Sequence, residues 1–123
     1  MRCPIWILAL VVALPAAAQV ESPFGSGLSF SQADVAAIQE ASAPFFRDEP
    51  AEPGAQRSWS NPESGLSGTA RYEGPNEMDG RPCRQIRHLI RSARSDRVYE
   101  YRVDRCRQPD GTWAIAAAAW MVN

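Results

Sequence analysis

The side chains best able to do chemistry in this sequence are its three cysteines and its single histidine, His88. Cys3 precedes an apolar N-terminal stretch, whereas Cys83 and Cys106 belong to the second half of the chain. In an oxidising compartment a disulfide is the most economical use of that pair, and its loop of about two dozen residues would stabilise the fold by roughly 3 kcal/mol. Two buried thiols or a metal pair are the alternatives, although two cysteines with one distant histidine lack zinc-ligand spacing.

Arginine offers a second kind of chemistry, the binding of anions. Residues 81–107 contain nine arginines and three acidic residues, whereas residues 19–80 contain three arginines and ten acidic residues. Guanidinium groups bind carboxylates and phosphates through paired hydrogen bonds. The candidate binding residues are Arg84, Arg87, Arg91, Arg94 and Arg107. The alternative is that these arginines face acidic loops of the same molecule, or water.

Catalytic groups are scarce. The sequence has no lysine for a phosphate-binding loop and no G-x-S-x-G nucleophile motif. The neighbouring acids Asp48 and Glu49, like Glu77 and Asp79, stand close to proline or glycine in predicted loops, where solvated carboxylates are the common outcome. We therefore expect a protein that is not an enzyme and that uses no cofactor and no metal ion.

The first 18 residues have the plan of a secretory signal peptide: Arg2, an apolar stretch over residues 5–14, and Ala16-Ala17-Ala18. The apolar stretch is shorter than the roughly 20 residues that a membrane-spanning helix needs. We expect cleavage after Ala18, no membrane span thereafter and, because no cysteine stands at the cleavage point, no lipid anchor. This predicts a periplasmic or cell-surface location. Residues 19–123 carry a net charge of 12 − 14 = −2, so we expect no nucleic-acid partner.

The rest of the chain predicts one domain, over residues 31–123, after a flexible mature N-terminus over residues 19–30. Ser31 and Asp34 have the spacing of a helix capping box, and apolar residues at helical spacing extend this helix to about Ala43. Five strands are predicted after it: Ala55–Asn61, Gly68–Glu73, Arg84–Ser92, Arg97–Arg107 and Thr112–Met121. Residues 74–80, rich in turn formers, are predicted to be a wide turn.

This order of elements predicts an α+β fold: an N-terminal helix packed on a roughly five-stranded antiparallel β-meander, with one disulfide. A small barrel plugged by the helix is the alternative. In the fourth strand Tyr99, Tyr101 and Val103 alternate with Glu100, Arg102 and Asp104, which predicts one buried face and one solvated face. His88 shares a face of the third strand with two isoleucines, so we expect it to pack beside the core.

Three segments in a fixed order resemble the 17 kDa surface antigen family of bacterial outer-membrane and surface proteins. They are Trp59-Ser-Asn61-Pro62-Glu-Ser-Gly65-Leu-Ser-Gly68, then Cys83-Arg84, then Cys106-Arg107-Gln-Pro-Asp110-Gly111-Thr-Trp113. The resemblance covers about residues 33–115. Family members with an outer-membrane anchor resemble lipoproteins, and many have a glycine-rich hydrophobic hairpin before the domain. This chain has neither feature, so the resemblance implies the C-terminal globular domain alone.

The motif residues also have an architectural interpretation. Asn61-Pro62 before Gly65 predicts a turn, and Asp110-Gly111 predicts a hairpin. Gly68 permits close approach of another backbone, and the tryptophans at 59 and 113 suit core or rim positions of the sheet.

Two functions follow as hypotheses. One is a non-catalytic envelope domain with a structural or interaction role, bound to another envelope protein through an apolar patch, the helix or an exposed sheet edge. The other is a module that binds an anionic envelope polymer, or inhibits an external enzyme, through an arginine-rich sheet face.

Overall fold

The computed structural model describes residues 28–122, with side chains up to residue 119. The predicted signal peptide and residues 19–27 of the predicted flexible segment lie outside the described residues. Helix α1 spans Gln32–Ser42 and continues as a 3₁₀ turn over Ala43–Phe46. The predicted helix is thus confirmed, and so is its start, since Ser31 and Asp34 form a complete capping box.

Five strands follow the helix: β1 Gln56–Asn61, β2 Leu66–Met78, β3 Arg81–Ser92, β4 Val98–Arg107 and β5 Trp113–Val122. They form one antiparallel sheet in the order β1-β2-β3-β4-β5. Cys83 and Cys106, directly opposed on β3 and β4, form a disulfide. The predicted α+β meander and its disulfide are confirmed. Because β1 and β5 form the two edges of the sheet, the alternative of a closed barrel is wrong.

The predicted wide turn over residues 74–80 is wrong, because β2 runs through it to Met78. A register shift between Tyr72 and Gly74 lets the strand continue, and the turn itself is the pair Asp79-Gly80, with φ of 52° and 75°. Two successive left-handed residues are what a two-residue hairpin requires. Pro75 is tolerated because β1 pairs with β2 only as far as Arg71, so β2 is an edge strand here.

Helix α1 and the 3₁₀ turn cover one face of the sheet, which we call the helix face. A buried cluster lies beneath α1: Phe30, Ile38, Ala41, Trp59, Leu66, Ile90, Tyr101 and Val103. A second cluster lies beneath the 3₁₀ turn, where the rings of Phe45 and Tyr72 stack with their centroids 5.7 Å apart. The backbone amide of Leu28 donates to Tyr101 Oη (3.1 Å), which attaches the start of the described chain to the core.

The opposite face of the sheet, which we call the open face, has no helix over it in the described part of the chain. Alternation along the strands brings Arg71, Arg87, Arg91, Glu100 and Arg102 to this face. Glu100 was predicted to be solvated, but only 4% of it is exposed. The two arginines next to it, at 87 and 102, cover its carboxylate. No helix among residues 28–122 is long and apolar enough to span a membrane.

Candidate binding surfaces

The five arginines predicted to bind anions do not share one face. Strand alternation and pairing place Arg84 on the helix face, and Arg87 and Arg91 on the open face. Arg94 lies exposed in the turn between β3 and β4, and Arg107 lies exposed at the end of β4. The structure therefore separates this set into a structural arginine, an open-face pair and two peripheral residues.

Arg84 is engaged in holding the 3₁₀ turn on the sheet. Its Nη1 donates to the carbonyl oxygens of Phe45 (2.9 Å) and Arg47 (2.6 Å). Its guanidinium carbon lies 4.3 Å from the centroid of the Trp113 ring, a cation–π contact. Phe46 packs on the same tryptophan, with ring centroids 5.8 Å apart. These contacts make Arg84 and Trp113 a link between β3, β5 and the end of the helical segment.

The open face carries a row of three arginines in register across three strands. Arg71 is paired with Arg87, and Arg87 with Arg102. Glu100 lies behind two of them, with its Oε1 atom 2.6 Å from Arg87 Nε and 3.6 Å from Arg102 Nε. Arg71 has a looser ion pair with Glu73, at 3.9 Å. We call Arg71, Arg87 and Arg102 the arginine row.

Arg91, on the same face, lines a shallow open groove between two turns of the sheet. Gly65, from the β1–β2 turn, forms one side, and Ser95, Asp96 and Arg97, from the β3–β4 turn, form the other. The groove is open to solvent, and its charged lining residues are Arg91, Asp96 and Arg97.

Strand β5 forms the second distinctive surface. It has ten residues, none of them charged, and among the five strands it pairs only with β4. Ile115 is 38% exposed, and Ala116, Ala118 and Ala119 are also exposed. The opposite edge differs, because β1 has only six residues, includes Arg57 and packs against α1. An uncharged edge strand is a template for pairing with another chain.

His88 lies within the core, as predicted, and is 2% exposed. It is paired with Ala70 on one side and Tyr101 on the other. Burial, and secondarily the positive charge of Arg105, lower the pKa of His88 to about 3. The imidazole is therefore neutral at physiological pH.

The family model described as 17 kDa outer membrane surface antigen matches residues 48–114, which is more than half of the chain. The chain belongs to the 17 kDa outer membrane surface antigen family. No curated protein and no solved structure matches it. The match extends from the end of the helical segment through β4 to the start of β5. Membership supports a cell-envelope or surface protein.

In this member of the surface antigen family, the Asn-Pro-x-Ser turn attaches the sheet to the helix. Asn61 Nδ2 (2.9 Å) and Ser64 Oγ (2.6 Å) both donate to Asp34 Oδ1, while Asp34 Oδ2 accepts from the backbone amide of Ser31 (2.9 Å). Gly65 closes the same turn at φ 76°. The helix cap and the family turn thus share one buried carboxylate.

Trp59 and Gly68 form a second structural unit of the family motif. They are directly paired across β1 and β2. A Cβ atom on Gly68 would lie 2.8 Å from Trp59 Nε1 and 2.7 Å from the carbonyl oxygen of Leu89. The position requires glycine because the indole ring lies against the strand.

The third family segment forms the β4–β5 turn. Gly111 has a φ of 88°, and Asp110 Oδ1 accepts from the backbone amide (3.0 Å) and hydroxyl (2.6 Å) of Thr112. These hydrogen bonds lower the pKa of Asp110. The turn positions Trp113 beneath Arg84.

Sequence reasoning missed several of the residues that organise these surfaces. Ser64 stood in the family motif without a role, although a serine at a fixed place in a turn is a usual hydrogen-bond donor. Arg71 and Arg102 fell outside the candidate set because only strand register brings them next to Arg87. The alternating pattern of β4 placed Glu100 on the face predicted to be solvated, so the sequence did not indicate that this residue is buried.

Proposed function

We propose that this member of the 17 kDa outer membrane surface antigen family is a non-catalytic domain of the cell envelope that binds another envelope protein through the outer edge of β5, a strand that pairs with none of the other four strands except β4. One observation carries the proposal: β5 is a long edge strand without charge or proline, with an exposed isoleucine at 115.

The chemistry of such an edge suits addition of a strand. Main-chain groups of the added strand supply affinity, and alternate side chains supply selectivity. Edge strands of proteins that stay monomeric usually carry lysine, proline or inward-pointing charges. The small alanines of β5 leave room for the backbone of a partner to approach, and Ile115 offers a separate apolar contact.

A non-catalytic role agrees with how the reactive side chains are used. His88 is enclosed in the core, Cys83 and Cys106 are joined to each other, and Asp34 is occupied by the helix cap and the family turn. His88, the two cysteines and Asp34 therefore each have a structural task.

We propose further that the chain is exported, is cleaved after Ala18 and acts in the periplasm or at the cell surface without a lipid anchor. The plan of residues 1–18 supports this location, and a disulfide is typical of an oxidising compartment. Intact mass of the protein purified from the envelope tests it. A mass that matches residues 19–123 with one disulfide is expected, and an uncleaved or lipid-bearing chain would contradict the proposal.

The edge hypothesis is tested by capture of partners from detergent-solubilised envelope on the immobilised protein, at low and at high salt. Ile115→Lys places a charge on β5, and Ser58→Lys is the matched control, because it places the same charge on an exposed residue of the opposite edge. We expect one partner that is retained at high salt, lost with Ile115→Lys and kept with Ser58→Lys. Equal capture by both variants would refute the role of β5.

A further inference from the structure

We infer that the arginine row on the open face, Arg71, Arg87 and Arg102, is a binding site for phosphate groups. The site is separate from the edge of β5 and does not depend on the function proposed for that edge. It is formed by three side chains that register places directly opposite one another on β2, β3 and β4.

Like charges directly opposite on neighbouring strands destabilise a sheet, so a row of three arginines calls for a compensating negative charge. The fold supplies only part of that charge. Glu100 serves both Arg87 and Arg102, and Glu73 is 3.9 Å from Arg71. Asp104, also on the open face, accepts hydrogen bonds from the amide groups of Asn76 and Gln85 instead. The three arginines and their two carboxylates leave one positive charge uncompensated.

The geometry of the ion pairs directs the arginines outwards. In each of the three ion pairs the recorded contact is made by the Nε atom, the guanidinium nitrogen nearest the main chain. Glu100 is 5% exposed in its side chain, whereas Arg87 is 36% and Arg102 is 55% exposed. A buried carboxylate therefore lies against the Nε sides of two arginines whose side chains stay partly exposed on the open face.

The spacing of the row favours phosphate over carboxylate. Neighbouring strands lie about 4.8 Å apart, so the three arginine positions span about 10 Å. A phosphate monoester carries a charge of about −1.5 to −2 at pH 7 and three acceptor oxygens, so that one group can bridge two adjacent guanidinium groups. A carboxylate has two oxygens and one negative charge, which suffice for one guanidinium group. The row continues into Gln56 and Ala119 on the flanking strands, neither of which is acidic.

The test is a titration of the ¹⁵N-labelled protein with pyrophosphate, followed through the arginine Nε–H signals, with succinate at matched ionic strength as the carboxylate probe. We expect saturable shifts at the arginine row, at least tenfold weaker with succinate, and an affinity that falls steeply with added salt. Arg87→Gln and Arg71→Gln are each expected to weaken pyrophosphate binding at least tenfold. Arg94→Gln removes the same charge from the β3–β4 turn and should change the affinity for pyrophosphate less than twofold.

Arg87→Gln also removes one partner of the buried Glu100 and could unfold the domain. Arg71→Gln avoids that problem, because the ion-pair partner of Arg71 is the partly exposed Glu73 and not the buried Glu100. The melting temperature of Arg71→Gln should match that of the parent protein. The inference fails if pyrophosphate produces no saturable shift at the row. It also fails if succinate binds equally well, or if Arg94→Gln costs as much as Arg71→Gln.

A phosphate group could come from a lipid headgroup or from a soluble compound, and vesicles separate these sources. Flotation with phosphatidylcholine vesicles containing phosphatidic acid presents a phosphate monoester, and vesicles containing phosphatidylglycerol present a diester. Once pyrophosphate binding is established, retention on the first but not the second identifies a headgroup as the source. Retention on neither identifies a soluble phosphate.

Discussion

Of the hydrogen-bonded side chains in this fold, Asp34 is the one whose replacement by alanine we expect to destabilise the protein most. The carboxylate is 1% exposed and accepts from the amide of Ser31, from Asn61 Nδ2 and from Ser64 Oγ, at 2.9, 2.9 and 2.6 Å. A hydrogen bond to a charged group contributes roughly 1.5 to 3 kcal/mol, and loss of a helix cap costs about 1 kcal/mol. Because these contributions are not additive and water can reach some of the donors, we expect a loss of about 3 kcal/mol.

Chemical denaturation with urea and thermal melting measure this loss. For a domain of this size about 3 kcal/mol corresponds to a fall in melting temperature of roughly 12 to 24 °C. Ser64→Ala should cost roughly 1 to 2 kcal/mol, and the double variant with Asp34→Ala should show a coupling of about 1 kcal/mol. Ser60→Ala is the control, because Ser60 is exposed on β1, and should change stability by less than about 0.5 kcal/mol.

The same carboxylate predicts a dependence on pH. Burial alone raises the pKa of Asp34, but hydrogen bonds from Ser64, Ser31 and Asn61 outweigh it and lower this pKa below 3.8. The stabilisation is therefore present above pH 3.8 and is lost as the pH falls through the lower folded-state pKa. The reasoning would be refuted by additive single and double variants, or by a cost for Asp34→Ala no greater than that of the Ser60→Ala control.

Three further predictions concern the core and the sheet. Because the pKa of His88 falls from 6.5 to about 3 on folding, the unfolded chain binds a proton that the folded protein excludes. The free energy of unfolding should fall by up to about 1.4 kcal/mol per pH unit below pH 6.5. Urea titrations of His88→Gln at pH 4–7 should lack this slope. Equal slopes for His88→Gln and the parent protein would contradict the prediction. Gly68→Ala, whose new Cβ would lie 2.8 Å from Trp59 Nε1, should lose about 1 to 3 kcal/mol in urea unfolding, and an unchanged midpoint would count against the tight contact. The paired serine variant of Cys83 and Cys106, which are 23 residues apart, should lose about 3 kcal/mol by the chain-entropy model, and equal unfolding midpoints before and after reduction of the parent protein would overturn that value.

Local rules were sufficient for much of the fold. The capping box at Ser31 and Asp34, the alternation in β4 and the Asp110-Gly111 turn depend on interactions within a few residues, so each could be predicted from neighbouring side chains. The same rules failed over residues 74–80. There the turn formers are accommodated by a shift of register and by the end of β1, which are properties of the neighbouring strands and not of the segment itself.

The candidate site shows the same division. The sequence alone determined that arginines are concentrated between residues 81 and 107, and its motif pointed to the surface antigen family. Only the tertiary structure decided which arginines act together. Strand pairing brings Arg71 beside Arg87, which is distant in the sequence, and places Arg84 on the helix face, where it donates to the carbonyl oxygen of Phe45. Burial of Glu100, likewise, depends on arginines from two strands closing over it, because the exposure of a side chain is set by its neighbours in space.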